Sequence, residues 1–137
     1  MTEYLLKVAN RLVTQDNRCT ASPMFCVRGL RRIFGLDPQW TDNVVWIDTE
    51  DVVHQVEPPK DEENPPEYYE KTGYIDVWEV LAVCFTEDGC REHLKLNGHN
   101  YQRYEKVEIY AESFNRNPEM LAIRELLVEN ATEKRKD

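Results

Sequence analysis

Residues 73–117, GYIDVWEVLAVCFTEDGCREHLKLNGHNYQRYEKVEIYAESFNRN, contain a strand–helix–strand unit around which the chain is organised. The longest apolar run, residues 80–85, predicts a central strand covered on both faces, because both alternating sets of side chains are apolar. Thr86 and the two acids after it indicate a helix start, and Gly98 indicates a helix end. We therefore predict a strand over 73–85, a helix over 87–96 and a strand over 107–114.

The flanking segments add two helices and the remaining strands. Apolar residues repeat at three and four after Thr2, which predicts an N-terminal helix, and Asn117 with Pro118 indicates the start of the last one. The predicted elements are helices over 3–15 and 118–130, a strand over 24–28 that continues past Gly29 to 34, and strands over 44–48 and 51–56. We expect the strands over 24–34 and 44–48 to pair as an antiparallel hairpin. The fold class is α+β: a mostly antiparallel sheet of four to five strands with three helices.

Length and composition predict one domain. The chain has 137 residues, 41% of them hydrophobic and 31% charged, which is ordinary for a globular protein. We expect a single domain over 1–130 and a frayed tail over 131–137. The longest apolar run is far shorter than the roughly 18 residues of a membrane span. The first residues, MTEYLLKVANRL, include acids and polar side chains and do not resemble a secretory signal.

The acidity of the chain is concentrated in one segment. The net charge is −9, and residues 57–70 contain six acids and one lysine. This segment also has four prolines and almost no apolar side chains, so we predict a mobile acidic loop. An acidic surface disfavours nonspecific binding of nucleic acid, because that binding depends on neutralising phosphates. We therefore expect no direct nucleic-acid partner and no membrane partner.

Cysteine and histidine residues offer a metal site or a nucleophile as alternatives. The candidates are Cys84, Cys90, His93 and His99, and their spacing matches no standard zinc pattern. A Cys–His pair three residues apart on one helix rarely has nucleophile–base geometry. No phosphate-binding or nucleophile-elbow motif occurs. The sequence predicts no enzyme, no metal and no cofactor, with packed thiols and surface histidines as the simplest interpretation.

Arginine and asparagine residues close to aromatic residues are better candidates for binding. Arg28 lies on the first strand, and Arg116 lies just before the last helix, where free N–H groups and a guanidinium favour an anion. Asn97 and Asn100 follow the central helix beside tyrosines and could contact the edge of a nucleobase. Salt bridges to the many acids, and ordinary helix-end hydrogen bonds, remain open as structural alternatives for these residues.

Two long runs carry a resemblance to a known group of proteins. WEVLAVCFTEDGCREHLKLNGHN, followed by KVEIYAESFNRNPEMLAIRELL, resembles small hypothetical proteins of tailed phages, and the N-terminal half, with TQDNRCTASPMFCVR and GLDPQWTDNVVWID, is similar to theirs. Within that group the chain resembles the Thoeris anti-defence type one family. The resemblance implies a phage sponge that forms dimers or higher oligomers. Such a sponge sequesters cyclic ADP-ribose isomers, and in some members cyclic oligonucleotides, without hydrolysis.

The resemblance also implies a set of binding residues and a location. A strand arginine, an aromatic at the end of the central strand, asparagines near a helix end and an arginine before the last helix would contact phosphate and base. The matching positions are Arg28, Phe85, Asn97, Asn100 and Arg116. The expected location is the host cytoplasm. The alternative function is an acidic protein-binding inhibitor of a host defence enzyme, in which the 57–70 segment mimics nucleic acid.

Overall fold

The computed structural model describes residues 1–18 and 20–133 of the chain. It contains three α-helices and a five-stranded antiparallel sheet, which confirms the α+β class. The elements are α1 (Glu3–Thr14), β1 (Pro23–Leu36), β2 (Val44–Asp48), β3 (His54–Val56), β4 (Tyr69–Cys84), α2 (Glu87–Asn97), β5 (Lys106–Ser113) and α3 (Pro118–Glu129). No helix in the described part of the chain is long and apolar enough to cross a membrane.

The strand order in the sheet is β3-β2-β4-β1-β5. Strand β4 is central, as its sequence predicts. The predicted hairpin between β1 and β2 is wrong, because β4 lies between these two strands and pairs with β2 from Val44 opposite Gly73 to Asp48 opposite Tyr69. The physical reason is the length of β4, Tyr69–Cys84, which lets it pair with β2 on one edge and with β1 on the other.

All three helices begin at the residues that the sequence indicates. In each case a side-chain oxygen accepts a hydrogen bond from an N–H group of the first turn, which would otherwise have no partner inside the helix. The donor–acceptor pairs are Leu5 with Thr2, Gly89 with Thr86, and Met120 with Asn117. Gly89 also lies close to β4, since a Cβ atom there would be 3.1 Å from the Cβ atom of Cys84.

The sequence predicts one domain over 1–130. In the structure, the contacts between residues divide the chain into two compact units. The first unit comprises Met1–Leu30 and Trp78–Asp137, and the second comprises Arg31–Val77. In the first unit, fully buried Phe25, Val27 and Cys90 form one core cluster between the sheet and α2. A second cluster joins α1 and α3 through Ala9, Leu12 and Leu127.

Strand β4 is not covered on both faces, which corrects the sequence-based prediction. Val80 is 61% exposed and Val83 is 52% exposed. The side chains of β4 that pack into the α2 cluster are instead Leu81, Ala82 and Cys84. The apolar run therefore contains both packed and exposed side chains and does not mark a strand that is covered on both faces.

The second unit contains the acidic segment and its contacts. Residues 69 and 70 of the predicted 57–70 loop belong to β4. The Trp46 indole N–H donates to Glu62 Oε1 at 3.2 Å, and the Thr49 N–H donates to the carbonyl of Tyr68 at 2.9 Å. These bonds connect the loop to β2 and to the turn after it. The mobility of the loop stays a prediction.

The predicted tail over 131–137 lies partly outside the described residues, which end at 133. Within the described part, the N–H groups of Thr132 and Glu133 donate to Asn10 Oδ1 at 2.8 and 3.0 Å. Ala131 packs against the α1–α3 cluster. Residues 131–133 therefore continue the contact between these two helices.

Replacing Gly29 by alanine should destabilise the fold. A Cβ atom there would lie 2.6 Å from Tyr104 Cδ1, so the ring or the strand must move, at a cost of about 1–3 kcal/mol. Gly98→Ala is the matched control, because a Cβ atom at Gly98 meets nothing within 4 Å. Thermal unfolding should show a lower Tm for Gly29→Ala only; an unchanged Tm would show that Tyr104 yields freely.

Candidate ligand-binding face

The guanidinium of Arg28 lies between two aromatic rings on the sheet face away from α2. Its central carbon is 4.2 Å from the centre of the Trp78 ring and 3.9 Å from that of the Tyr110 ring. The antiparallel register of β1 and β5 places Arg28 opposite Glu108 and Cys26 opposite Tyr110, which brings Tyr110 diagonally beside the arginine. Because side chains alternate along a strand, Arg28, Glu108 and Tyr110 lie on the sheet face opposite that of buried Val27.

Glu108 fixes the edge of the same guanidinium. Its Oε1 atom accepts from Arg28 Nε at 2.7 Å and lies 2.5 Å from Nη2. The hydrogen bond from Arg28, together with the charges of Arg28 and Lys106, lowers the pKa of Glu108 below its ordinary value, although desolvation acts in the opposite direction. The stacked rings and this carboxylate hold Arg28 in a single orientation.

The rings around Arg28 remain open to solvent. Trp78 is 40% exposed and Tyr110 is 41% exposed, and the neighbouring Val80 adds a further exposed apolar side chain. Exposed aromatic rings on strands can stack with flat ligand groups, and a guanidinium held among them can bind an anion. We call Arg28, Trp78, Val80, Glu108 and Tyr110 the Arg28 face.

The second unit has an arginine–aromatic contact of its own. Arg32 lies 4.0 Å from the centre of the Tyr74 ring, and its Nε atom donates to Asp76 Oδ1 at 2.9 Å. Its Nη1 atom donates to Gln55 at 3.0 Å. The hydrogen bond from Arg32 lowers the pKa of Asp76. This guanidinium thus binds partners of its own unit on several sides.

The predicted site residues occupy different places. Phe85 packs with the α1–α3 cluster and meets Phe114 edge to face at 6.3 Å. Asn97 donates to the carbonyl of His93 at 3.1 Å at the end of α2, which is the structural alternative left open by the sequence. Asn100 is exposed in a short 3₁₀ helix, Gly98–Tyr101, and Arg116 is exposed in the turn before α3.

Arg28 is the predicted residue that lies on the open sheet face. Within residues 1–18 and 20–133, no hydrogen bond, ion pair or ring contact joins any two of Arg28, Phe85, Asn97, Asn100 and Arg116. Tyr110 is one of the tyrosines that the sequence offers for stacking beside the asparagines, and Trp78 was not predicted as a site residue. The sequence signal for Trp78 is its position two residues before Val80, and that position also fits burial.

The thiols and histidines have structural partners. Cys90 is fully buried, and burial together with the neighbouring Cys84 raises its pKa to about 12. His93 Nε2 lies 2.7 Å from the Tyr101 hydroxyl, and the two rings stack. Among the described residues, no group of three or more His, Cys, Asp or Glu side chains could hold a metal ion. Cys19 lies outside the described residues.

The fold and the Arg28 face together define an α+β protein with a partly open, aromatic sheet face. Comparisons with protein-family models, with curated proteins and with solved structures find no match for this chain.

Removing the Arg28 charge should raise the pKa of Glu108. In the native protein this pKa is depressed, so the ion pair stabilises the fold above the ordinary carboxyl pKa of about 4.3, and the stabilisation is lost as pH falls through the lower, folded value. For Arg28→Gln we expect NMR titration to give a Glu108 pKa closer to the ordinary value than in the native protein, with Lys106 still lowering it. The Tm difference from the native protein should shrink on acidification from pH 7 to below pH 4.

Arg91→Gln is the matched control for this titration. Arg91 pairs with Glu87 and Asp88 on the surface of α2, so its removal takes away one cation without touching Glu108. An equal rise of the Glu108 pKa in both variants would mean that net charge, rather than the Arg28 contact, sets this pKa.

Proposed function

We propose that this protein binds a nucleotide-type signalling molecule on the Arg28 face and sequesters it without cleaving it. The observation that carries the proposal is the guanidinium of Arg28, held between the partly exposed rings of Trp78 and Tyr110. A nucleotide combines a flat base with an anionic phosphate. The rings and the cation of this face suit those two groups.

The stacking part of the proposal rests on exposure. Every nucleobase has a π face, and stacking on an aromatic side chain contributes about 1–3 kcal/mol per base. Trp78 and Tyr110 both pack against the guanidinium of Arg28, so part of their side-chain freedom is already lost before a ligand binds.

The anion-binding part rests on the donors of Arg28. A guanidinium has five N–H donors, and Glu108 faces the Nε and Nη2 atoms. The Nη1 donors then serve a phosphate oxygen. Lys106, whose Nζ atom lies 3.6 Å from Glu108 Oε2, supplies a second cation beside this site.

The resemblance to the Thoeris anti-defence type one family supplies the biological part of the proposal. In that setting the ligand is a cyclic ADP-ribose isomer, with cyclic oligonucleotides as further ligands. The protein is then a phage counter-defence sponge in the host cytoplasm, and it acts as a homo-oligomer. Sequestration requires only binding, so no catalytic residue is assigned.

A panel of ligands tests the proposal. Cyclic ADP-ribose isomers and cyclic di- and trinucleotides should be added to the native protein, and a tight ligand should raise its Tm by mass action. Trp78→Ala should weaken binding of that ligand by about 10- to 100-fold, because one stacking platform is lost. The absence of any Tm shift across the panel would contradict the proposal.

Trp40→Ala is the matched control for Trp78→Ala. Trp40 is a tryptophan of the second unit and is 85% exposed, so the change removes the same kind of side chain from a residue that is not part of the Arg28 face. Affinity should stay unchanged in this variant. An equal loss in both variants would mean that the ligand does not recognise the Arg28 face.

A second candidate function is inhibition of a host defence enzyme through an acidic surface. The second unit, Arg31–Val77, has twelve acidic and four basic side chains, a net charge of −8 out of the −9 of the whole chain. Such a field speeds association with a basic protein surface. Exposed Trp40 would add the kind of aromatic anchor that is common at interfaces.

Two variants separate the two candidate functions in a bacterial strain that carries the Thoeris defence. Glu57, Glu63 and Glu67 are exposed, and their joint change to glutamine removes three charges while Glu62 keeps its bond to Trp46. Loss of counter-defence in this triple variant alone would support the acidic inhibitor. Loss in Trp78→Ala alone would support the sponge.

A further inference from the structure

The outer edge of β5 is a strand edge whose main-chain groups have no role in the Arg28 face. Strand β5 ends the strand order, and within residues 1–18 and 20–133 no strand pairs with its outer side. Its eight residues, Lys106–Ser113, contain no proline or glycine. A regular edge of this length is a template for pairing with another strand.

A groove of about 300 Å³ lies beside this edge. Three consecutive residues of β5, Ile109–Ala111, line it together with Phe25, and the Arg18–Glu87 ion pair also borders it. Phe25, Ile109 and Ala111 share the α2 face of the sheet, so the groove opens on that face next to β5. Tyr110 alternates to the opposite face, so its main-chain atoms are the part that can border the groove.

The hydrogen bonds of β5 show which groups point outwards. The register that places Pro23 opposite Ser113 continues to Phe114, whose N–H donates to the carbonyl of Ser22 at 3.1 Å. In an antiparallel ladder this alternation directs the main-chain groups of even-numbered residues of β5 towards β1. Those of Val107, Ile109 and Ala111 then face the free edge.

We propose that a second copy of this chain pairs with this edge, β5 against β5 and antiparallel, about a two-fold axis perpendicular to the sheet. Such an axis keeps the same face of both sheets on the same side, so opposed residues have numbers that are both even or both odd. With Ile109 on the axis, seven residues of each strand pair. Lys106 then lies opposite Glu112 of the partner subunit, twice by symmetry.

The charges on β5 select this register over its neighbours. An axis at Glu108 would place two carboxylates directly opposite each other. An axis at Tyr110 would place Glu108 opposite Glu112 of the partner subunit, again twice. Like charges in directly opposed positions destabilise a strand pair, and opposite charges stabilise it. Pairing about Ile109 is thus the long register with complementary charges.

The pairing has a consequence for the Arg28 face. In this register Glu108 lies opposite Tyr110 of the partner subunit, so the faces of the two copies adjoin on one side of a continuous sheet. Two guanidiniums and four rings then line one surface, which fits a ligand with two nucleotide units. This consequence rests on the proposed function, whereas the strand pairing does not.

Sedimentation velocity of the full chain without ligand, at several concentrations, tests the pairing. The native protein should form a dimer. Lys106→Glu alone and Glu112→Lys alone should each raise the dimer Kd about tenfold, because each change places like charges opposite each other twice. The double variant Lys106→Glu with Glu112→Lys should restore most of the affinity. Glu125→Lys, an exposed change on α3, is the control and should leave Kd unchanged.

Amide hydrogen exchange gives a second readout that follows the same edge. The N–H groups of Val107, Ile109 and Ala111 should be protected at high protein concentration and exchange faster on dilution. A monomer at every concentration would overturn the pairing, as would a dimer that single charge reversals do not weaken. Neither result depends on a ligand, so failure of the pairing and failure of ligand binding are distinguishable.

Discussion

Helix α2 packs against β1 through Cys90, Phe25 and Val27, and this contact orients the rest of the first unit. All three side chains are fully buried, and the closeness of α2 to the sheet depends on Gly89, where a Cβ atom would lie 3.1 Å from Cys84. Because strand side chains alternate, a helix on one face of β1 sends Arg28 to the other. The open, aromatic face follows from covering one side of the sheet.

The contacts around Arg28 position a charge more than they stabilise the fold. Exposed ion pairs contribute about 0–1 kcal/mol, and cation–π contacts at exposed sites contribute about 0.5–1 kcal/mol. Trp78, Tyr110 and Glu108 therefore add modest stability, but they limit the guanidinium to one orientation. A binding site gains from that restriction, because less freedom is lost when the ligand arrives.

Local signals predicted much of the fold and little of the site. Thr2, Thr86 and Asn117 mark helix starts because a capping side chain acts within three residues. The neighbours of Arg28 depend instead on register and strand order, which bring residues 50 and 82 positions apart into contact. Nothing local distinguishes an apolar strand that is buried on both faces from one that is partly exposed, so the exposed ring of Trp78 was not predicted.

Net charge is a poor guide to what the Arg28 face can bind. The charge of −9 disfavours phosphate ligands on average, yet −8 of it belongs to Arg31–Val77. Exposed charges more than about 8 Å apart are largely screened at physiological salt, so nearby groups decide the local potential. On the Arg28 face a phosphate would meet the guanidinium of Arg28, with Lys106 beside it, and the carboxylate that pairs with both, Glu108.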